Sequence, residues 1–244
     1  FSRKGPEKYH ARSRYYLGLS YYYAQNYKNA ILEFTKAEKV AERCDSLYWA
    51  MTKAMQSDVY SSTHNRIEAL NSLICAHEIY SKLSLNYYID VSELGLAKLY
   101  YNNKDYFKAD SLFTKLILSV DTEEIIRKYA KKNRAFMMVS QYEPNYNESV
   151  FLYDNLINAH DDSCLTYKDY WAYAYSLNQV GRKDEAQNIL TQLKNVDTSG
   201  TADYWMYMIE KSSGNSSEAL KYLEKSTTKI DKEVTKALQQ SLAL

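Results

Sequence analysis

Small residues return along the chain at Ala30, Ala69, Ala109, Ser149, Ala186 and Ala219, at intervals of 39, 40, 40, 37 and 33 positions. Four positions after each stands a large residue: Phe34, Leu73, Phe113, Tyr153, Leu190 and Leu223. Each pair is preceded by a polar turn and by another stripe of apolar residues spaced three and four apart, the period of a helix with one buried face. In the first instance Leu17, Tyr21, Ile31 and Phe34 form the stripes, and Gln25, Asn26, Lys28 and Asn29 the turn between them. The pattern predicts helical hairpins in which a small side chain on one helix, Gly18 or Ala30, lets its partner approach closely. Six hairpins are expected, at approximately 10–43, 47–83, 87–120, 124–159, 166–197 and 201–227, within a single domain covering 1–244. A final stripe of Ile230, Val234, Ala237, Leu238 and Leu242 predicts a further helix over 229–244 that caps the last hairpin.

Leu17-Gly18, Tyr21, Ala30 and Phe34 stand in the order L-G-x2-Y, then A-x3-F, and so the segment from Tyr15 to Ala37 resembles the tetratricopeptide (TPR) repeat. The third copy matches well, with Leu96-Ala97, Tyr100, Ala109 and Phe113. The second has Ser57 at the glycine position, and the fourth has Met137 and Ser140 at the Gly and Tyr positions with Pro144 in its turn. Repeats five and six carry Tyr173-Ala174 and Met206-Tyr207 at the L-G positions and a turn glycine, Gly181 and Gly214. No copy has the proline that usually closes the motif. Spacings above the usual 34 imply longer second helices, or longer loops around Asp45, Leu85, Asp121 and His160.

The resemblance implies an all-α fold, an α-α superhelix (TPR-like solenoid) of about six helical hairpins plus a C-terminal capping helix. It also implies a non-enzymatic protein-protein interaction scaffold without a cofactor, binding a peptide or protein on its concave face. In that family the concave face is lined by the first helix of each pair. Carried onto this chain, the register puts Tyr15, Tyr22, Lys98, Tyr101, Arg134, Trp171, Tyr175, Tyr204 and Lys211 on the peptide-binding surface. Rings there would bury a ligand, and Lys98, Arg134 and Lys211 would pair with acidic groups. Family members that grip a C-terminal carboxylate use a Lys and an Asn in the first repeat, where this chain has Tyr15 and Leu19, so that partner is not expected.

Composition narrows the alternatives. Six glycines and two prolines in 244 residues are few for a turn-rich β fold, and 26 tyrosines suit the many half-buried surfaces of a stack of hairpins. A net charge of +1 with interspersed signs gives no broad attraction to nucleic acid or to anionic lipid. Cys44, Cys75 and Cys164 are too few and too scattered for a disulfide framework. No apolar run of membrane-spanning length occurs, and the chain opens on Phe1, which reads as a piece of a longer protein. The Tyr-, Asn- and Lys-rich style is similar to repeat regions of bacterial envelope-associated or regulatory proteins. From this follows a second expectation, a sensory or regulatory input domain of a longer membrane-associated or transcription-regulating protein.

Candidate chemistry is sparse. His10, His64, His77 and His160 are dispersed, and no P-loop, nucleophile elbow or dinucleotide fingerprint appears. His160, Asp161, Asp162 and Cys164 form the one dense group of metal-ligand types, mixed in hardness and placed in an inter-repeat loop, where a solvated loop is the expectation and a metal-dependent enzyme the alternative. Asn147-Glu148-Ser149 and Asn215-Ser216-Ser217 fit the short glycosylation sequon.

Overall fold

The computed structural model describes the backbone of residues 4–160, 162–196 and 200–242, with the side chains of these residues except 4–5, 194–195, 201 and 233–242. Among the described residues there are twelve α-helices, one short 3-10 turn at Asp162–Cys164, and no strand. The helices pair as hairpins: α1 (Lys4–Tyr23) with α2 (Tyr27–Cys44), α3 (Ser46–Ser62) with α4 (Arg66–Lys82), and α5 (Asn86–Asn102) with α6 (Tyr106–Leu118). Then come α7 (Glu124–Ser140) with α8 (Tyr146–Asn158), α9 (Tyr167–Gln179) with α10 (Lys183–Val196), and α11 (Gly200–Ser212) with α12 (Ser216–Leu242). The all-α, TPR-like hairpin architecture read from the repeat pattern is the one observed.

Each hairpin closes on its small residue. Ala30, Ala69, Ala109 and Ser149 have no exposed surface, and Phe34, Phe113 and Tyr153, four positions on, are at most 1% exposed. Gly18 is buried, and a Cβ there would lie 2.6 Å from the Phe34 ring, so the approach of α1 to α2 is set by a missing side chain on one helix and a large one on the other.

The turns repeat as closely as the cores. Gln25, His64, Lys104, Gly181 and Gly214 each stand five positions before the anchor alanine, and all five have positive φ between 58° and 86°. This is the left-handed residue that ends a helix, and it lets the next amide turn back to the helix it leaves: Asn26 N to Tyr21 O, Asn65 N to Tyr60 O, Asp105 N to Tyr100 O, Arg182 N to Leu177 O and Asn215 N to Glu210 O, each at 2.8–2.9 Å. In the fourth hairpin the same place holds Pro144, whose ring fixes φ negative; the turn lengthens to Gln141–Asn145, and Asn145 caps α8 by accepting from the Glu148 amide at 3.1 Å.

The extra length of the repeats is taken up differently along the chain. In the first two hairpins it lies in the second helices, 18 and 17 residues long. Asp45, expected in a loop, is the sole residue between α2 and α3, ending one and capping the other. Later repeats place the excess in connections, Ser119–Glu123 before α7 and Ala159–Thr166 before α9. The pattern expected to give a separate helix from Lys229 instead continues α12 without a break over 27 residues; the side chains of Val234, Ala237, Leu238 and Leu242 lie outside the described residues.

The chain divides into two compact units, Phe1–Ala130 and Lys131–Leu244, with the boundary inside α7. In the first unit the core runs through Tyr15, Ala30, Phe34, Ala37 and Val59, and then through Ala69, Leu73, Ala76, Ile79, Leu96 and Leu99. In the second unit its centre is α9, from Trp171 to Leu177 buried at every position.

Candidate functional site

In the first unit the first helices carry stripes of residues that keep surface. Along α5, Tyr87, Val91, Leu94, Lys98 and Tyr101 follow one another at spacings of four and three, and all keep surface, with Tyr87 48% and Val91 42% exposed. Leu47, Met51, Ala54, Asp58 and Ser61 repeat the same spacing on α3, all half-buried or exposed. On α1 the register positions are Tyr15, Leu19 and Tyr22. Tyr22 is half-buried, stands 6.0 Å from the Tyr27 ring, and has its hydroxyl pushed up in pKa by burial and by the charge of Asp58. Asp58 also feels Lys98.

Tyr15 departs from the expectation. It is 5% exposed, enclosed by Tyr16 and Tyr48 edge-on at 5.4 Å and by Phe34 at 6.0 Å, and burial followed by the neighbouring tyrosines pushes its pKa up to about 12. It is a core residue under the face rather than part of its surface. Above it, Tyr16 and Tyr48 join hydroxyls at 2.9 Å, and Arg12 lies 4.7 Å over the Tyr48 ring while bonding Asp45 through Nε and Nη2 at 3.0 and 2.8 Å.

The second unit is closed where the first is open. Trp171 and Tyr175, expected to line a groove, are 1% and 6% exposed. Phe136 of α7 and Trp205 of α11 pack edge to face at 6.2 Å, and Trp205 in turn lies 5.8 Å from Tyr175, which meets Tyr146 at 5.6 Å. Rings from helices on either side of α9 thus meet over it, and Trp171 and Tyr175 become core. Other expected positions are held locally: Arg134 pairs with Glu148, Lys211 bonds the Tyr207 hydroxyl at 3.1 Å, and Tyr204 stays 43% exposed beside Trp205.

Among the described residues no three His, Cys, Asp or Glu side chains are placed to hold a metal ion. Of the loop group, Asp161 lies outside the described residues, Asp162 accepts from the Tyr170 hydroxyl at 3.0 Å, and the Cys164 carbonyl takes the Lys132 ammonium at 2.7 Å. Among the same residues no helix is long and apolar enough to cross a membrane.

Asp58 stands at the register position on α3 that Lys98 holds on α5, but the expected binding set took up its aromatic and basic neighbours and not Asp58 itself. The available signal was its charge, which interrupts an otherwise uncharged stripe of α3 at the level of Lys98 on α5.

No family model and no curated protein matches the sequence. Solved structures do. A putative kinesin light chain from Podosopora anserina with nearly identical TPR-like repeats is 16% identical, with a TM-score of 0.59 over 75% of this chain and 93% of that one. A variant of the same protein gives 0.60, at 16% identity over 75% and 92%. A tetratricopeptide repeat protein from Parabacteroides merdae is 15% identical over 95% of this chain and 98% of that one, with a TM-score of 0.48. The fold of this chain is accordingly that of the TPR-like helical repeat.

Proposed function

We propose that the protein is a non-enzymatic interaction scaffold, and that it takes a peptide or protein segment on the face formed by α1, α3 and α5. The observation that carries this is the exposed and half-buried stripe of Tyr87, Val91, Leu94, Lys98 and Tyr101 beside Tyr22 and Asp58. Apolar and aromatic groups repeated at one level on three adjacent helices offer ring contacts and burial along a line, with charged groups to fix register. Of the positions expected to bind, Tyr22, Lys98 and Tyr101 belong to this reading. Tyr15, Trp171 and Tyr175 are left out because they are buried. The second unit contributes stability through its closed aromatic centre.

Selection of a displayed random-peptide library on the intact chain tests the reading. Peptides enriched on the wild type should lose binding to Val91→Arg, an exposed position where a long cation crosses the face, and keep it with Tyr204→Ala in the second unit. Equal binding to wild type and Val91→Arg refutes it.

A further inference from the structure

The helices α3 and α5 turn the same side toward the second helix that precedes each of them. On α3 that side holds Tyr48, Thr52, Gln56 and Val59, and α2 covers it: Glu38 accepts from the Gln56 amide at 2.7 Å, and Val59 shares a core with Phe34 and Ala37. On α5 the corresponding residues are Tyr88, Ser92, Leu96 and Leu99, covered by α4. Tyr80 stacks on Tyr88 at 5.0 Å, His77 meets the Ser92 hydroxyl at 2.9 Å, and Ala76 shares a core with Leu96 and Leu99. Counting back 39 positions from α3, the interval between Ala30 and Ala69, gives Tyr9, Ser13, Leu17 and Ser20 on α1. The tyrosine and the small hydroxyl residue are thus common to all three helices, but on α1 this side is exposed. Tyr9 is 73%, Tyr16 55% and Tyr23 78% exposed, and Ser13, Leu17 and Ser20 are exposed with them. A side that takes a helix twice within the chain is left open at α1.

We propose that α1 docks antiparallel on α1 of a second copy of this chain, about a two-fold axis. The open side is prepared for burial. Ser13 and Ser20 donate to the Tyr9 and Tyr16 carbonyls at 2.8 and 3.0 Å, and the Tyr16 hydroxyl joins that of Tyr48 at 2.9 Å, so the central polar groups already have partners. No charged residue stands in the stripe, and Arg12 and Arg14 of the same helix are held by Asp45 and Glu33, so an uncharged surface suits it better than an acidic one. Tyr9, Ser13, Tyr16, Ser20 and Tyr23 alternate ring and small residue at spacings of four and three. Antiparallel packing sets the ring positions of one helix opposite the serine positions of the other, whereas a parallel pair would set ring on ring. Charge favours the same arrangement. Lys4, Lys8, Arg12 and Arg14 lie in the first half of α1, and from Tyr15 to Ala24 there is no charge, so each basic half lies along its partner's uncharged half and toward the helix end where a cation is favoured. The stripe does not include Tyr22, and the inference stands apart from the proposed peptide face.

Sedimentation equilibrium of the whole chain tests this. The wild type should show a reversible dimer at concentrations up to about 100 μM, as a small interface of one helix pair allows. Ser20→Lys places an unpaired charge within the contact and should raise the dimer dissociation constant about tenfold or more. Tyr23→Ser, which removes a ring that is 78% exposed, should weaken the dimer without adding charge. Adding Ser13→Glu to Ser20→Lys should recover association, because antiparallel packing brings each position 13 within about one turn of position 20 on the partner, where a parallel pair would set like charge against like. Val91→Arg on α5 should associate as the wild type does. A wild type monomeric at about 100 μM, a dimer indifferent to Ser20→Lys, or one lost equally with Val91→Arg overturns the inference, as does failure of the double variant to recover. Circular dichroism and melting of each variant confirm that the fold is kept.

Discussion

The helices α3 and α9 occupy the same place in their units, each the middle one of three first helices, and they meet opposite fates. α3 keeps Met51, Ala54, Asp58 and Ser61 at or near the surface, whereas α9 is buried from Trp171 to Leu177. The backbone plan and the hairpin turns are the same, so the cause is in the flanking side chains. Phe136 and Trp205 are large enough to meet at 6.2 Å across α9. Around α3 the flanking helices carry Tyr22 and Lys98, and a solvated ammonium does not close over its neighbour as a ring does. One architecture thus yields an open face or a sealed centre according to two side chains on adjacent helices.

The sharpest way to break that comparison is to remove a ring from each unit. Trp171→Ala should cost about 3–5 kcal/mol in denaturant unfolding, the range for emptying a large core site. A cost under about 1 kcal/mol would put Trp171 on a surface and undo the contrast. In the first unit Tyr87→Ala, at a position 48% exposed, should stay within about 1 kcal/mol by the same measurement.

Gly18→Ala comes next. Its new Cβ would lie 2.6 Å from the Phe34 ring, and a loss of about 1–3 kcal/mol is expected from overpacking. Adding Phe34→Leu should recover part of that loss, a coupling that a double-mutant cycle reads directly. Additive effects would mean that the two residues do not meet.

Smaller and of opposite sign is Lys104→Gly. Lys104 holds φ at 63°, the conformation that Gly181 and Gly214 supply without a Cβ in the same turn of later hairpins. A gain of about 1 kcal/mol is expected, seen as a raised melting temperature. No gain would show that the Lys104 side chain contributes as much as its backbone costs.

The smallest effect belongs to Asp58. Desolvation by the surrounding protein raises the carboxyl of this exposed residue above its ordinary value, so folding is opposed by its charged form, and the penalty grows from the unfolded pKa until pH passes the raised folded one. Asp58→Asn should raise the melting temperature slightly at neutral pH. The difference should vanish below about pH 3.9, where the acid is protonated folded or unfolded. A variant that melts lower than wild type at neutral pH would mean that Lys98 outweighs desolvation.

The hairpins were legible from sequence because small residues and their partners four positions on are a short-range signal, fulfilled at Ala30 with Phe34 and at Ala109 with Phe113. The turn glycines Gly181 and Gly214 were legible too, but Gln25, His64 and Lys104 were not, since nothing in their side chains announces a positive φ. The sealing of α9 depends on rings from two other hairpins and cannot be read from its own register. One local trace existed: from Tyr170 to Leu177 the helix carries no charge on any face, and a helix without a polar side is one that is surrounded. The long spacing of the first repeats gave no hint that Asp45 alone separates α2 from α3.

That junction has a consequence for how the chain can change over generations. With one residue between two helices there is no slack to absorb an insertion. A single codon added beside Asp45 would rotate α3 about its axis by about 100°, carrying Met51 and Asp58 away from the side on which they now keep surface. Length variation among descendants of this sequence should therefore gather at Ser119–Glu123 and Ala159–Thr166, while the first junction keeps its count fixed.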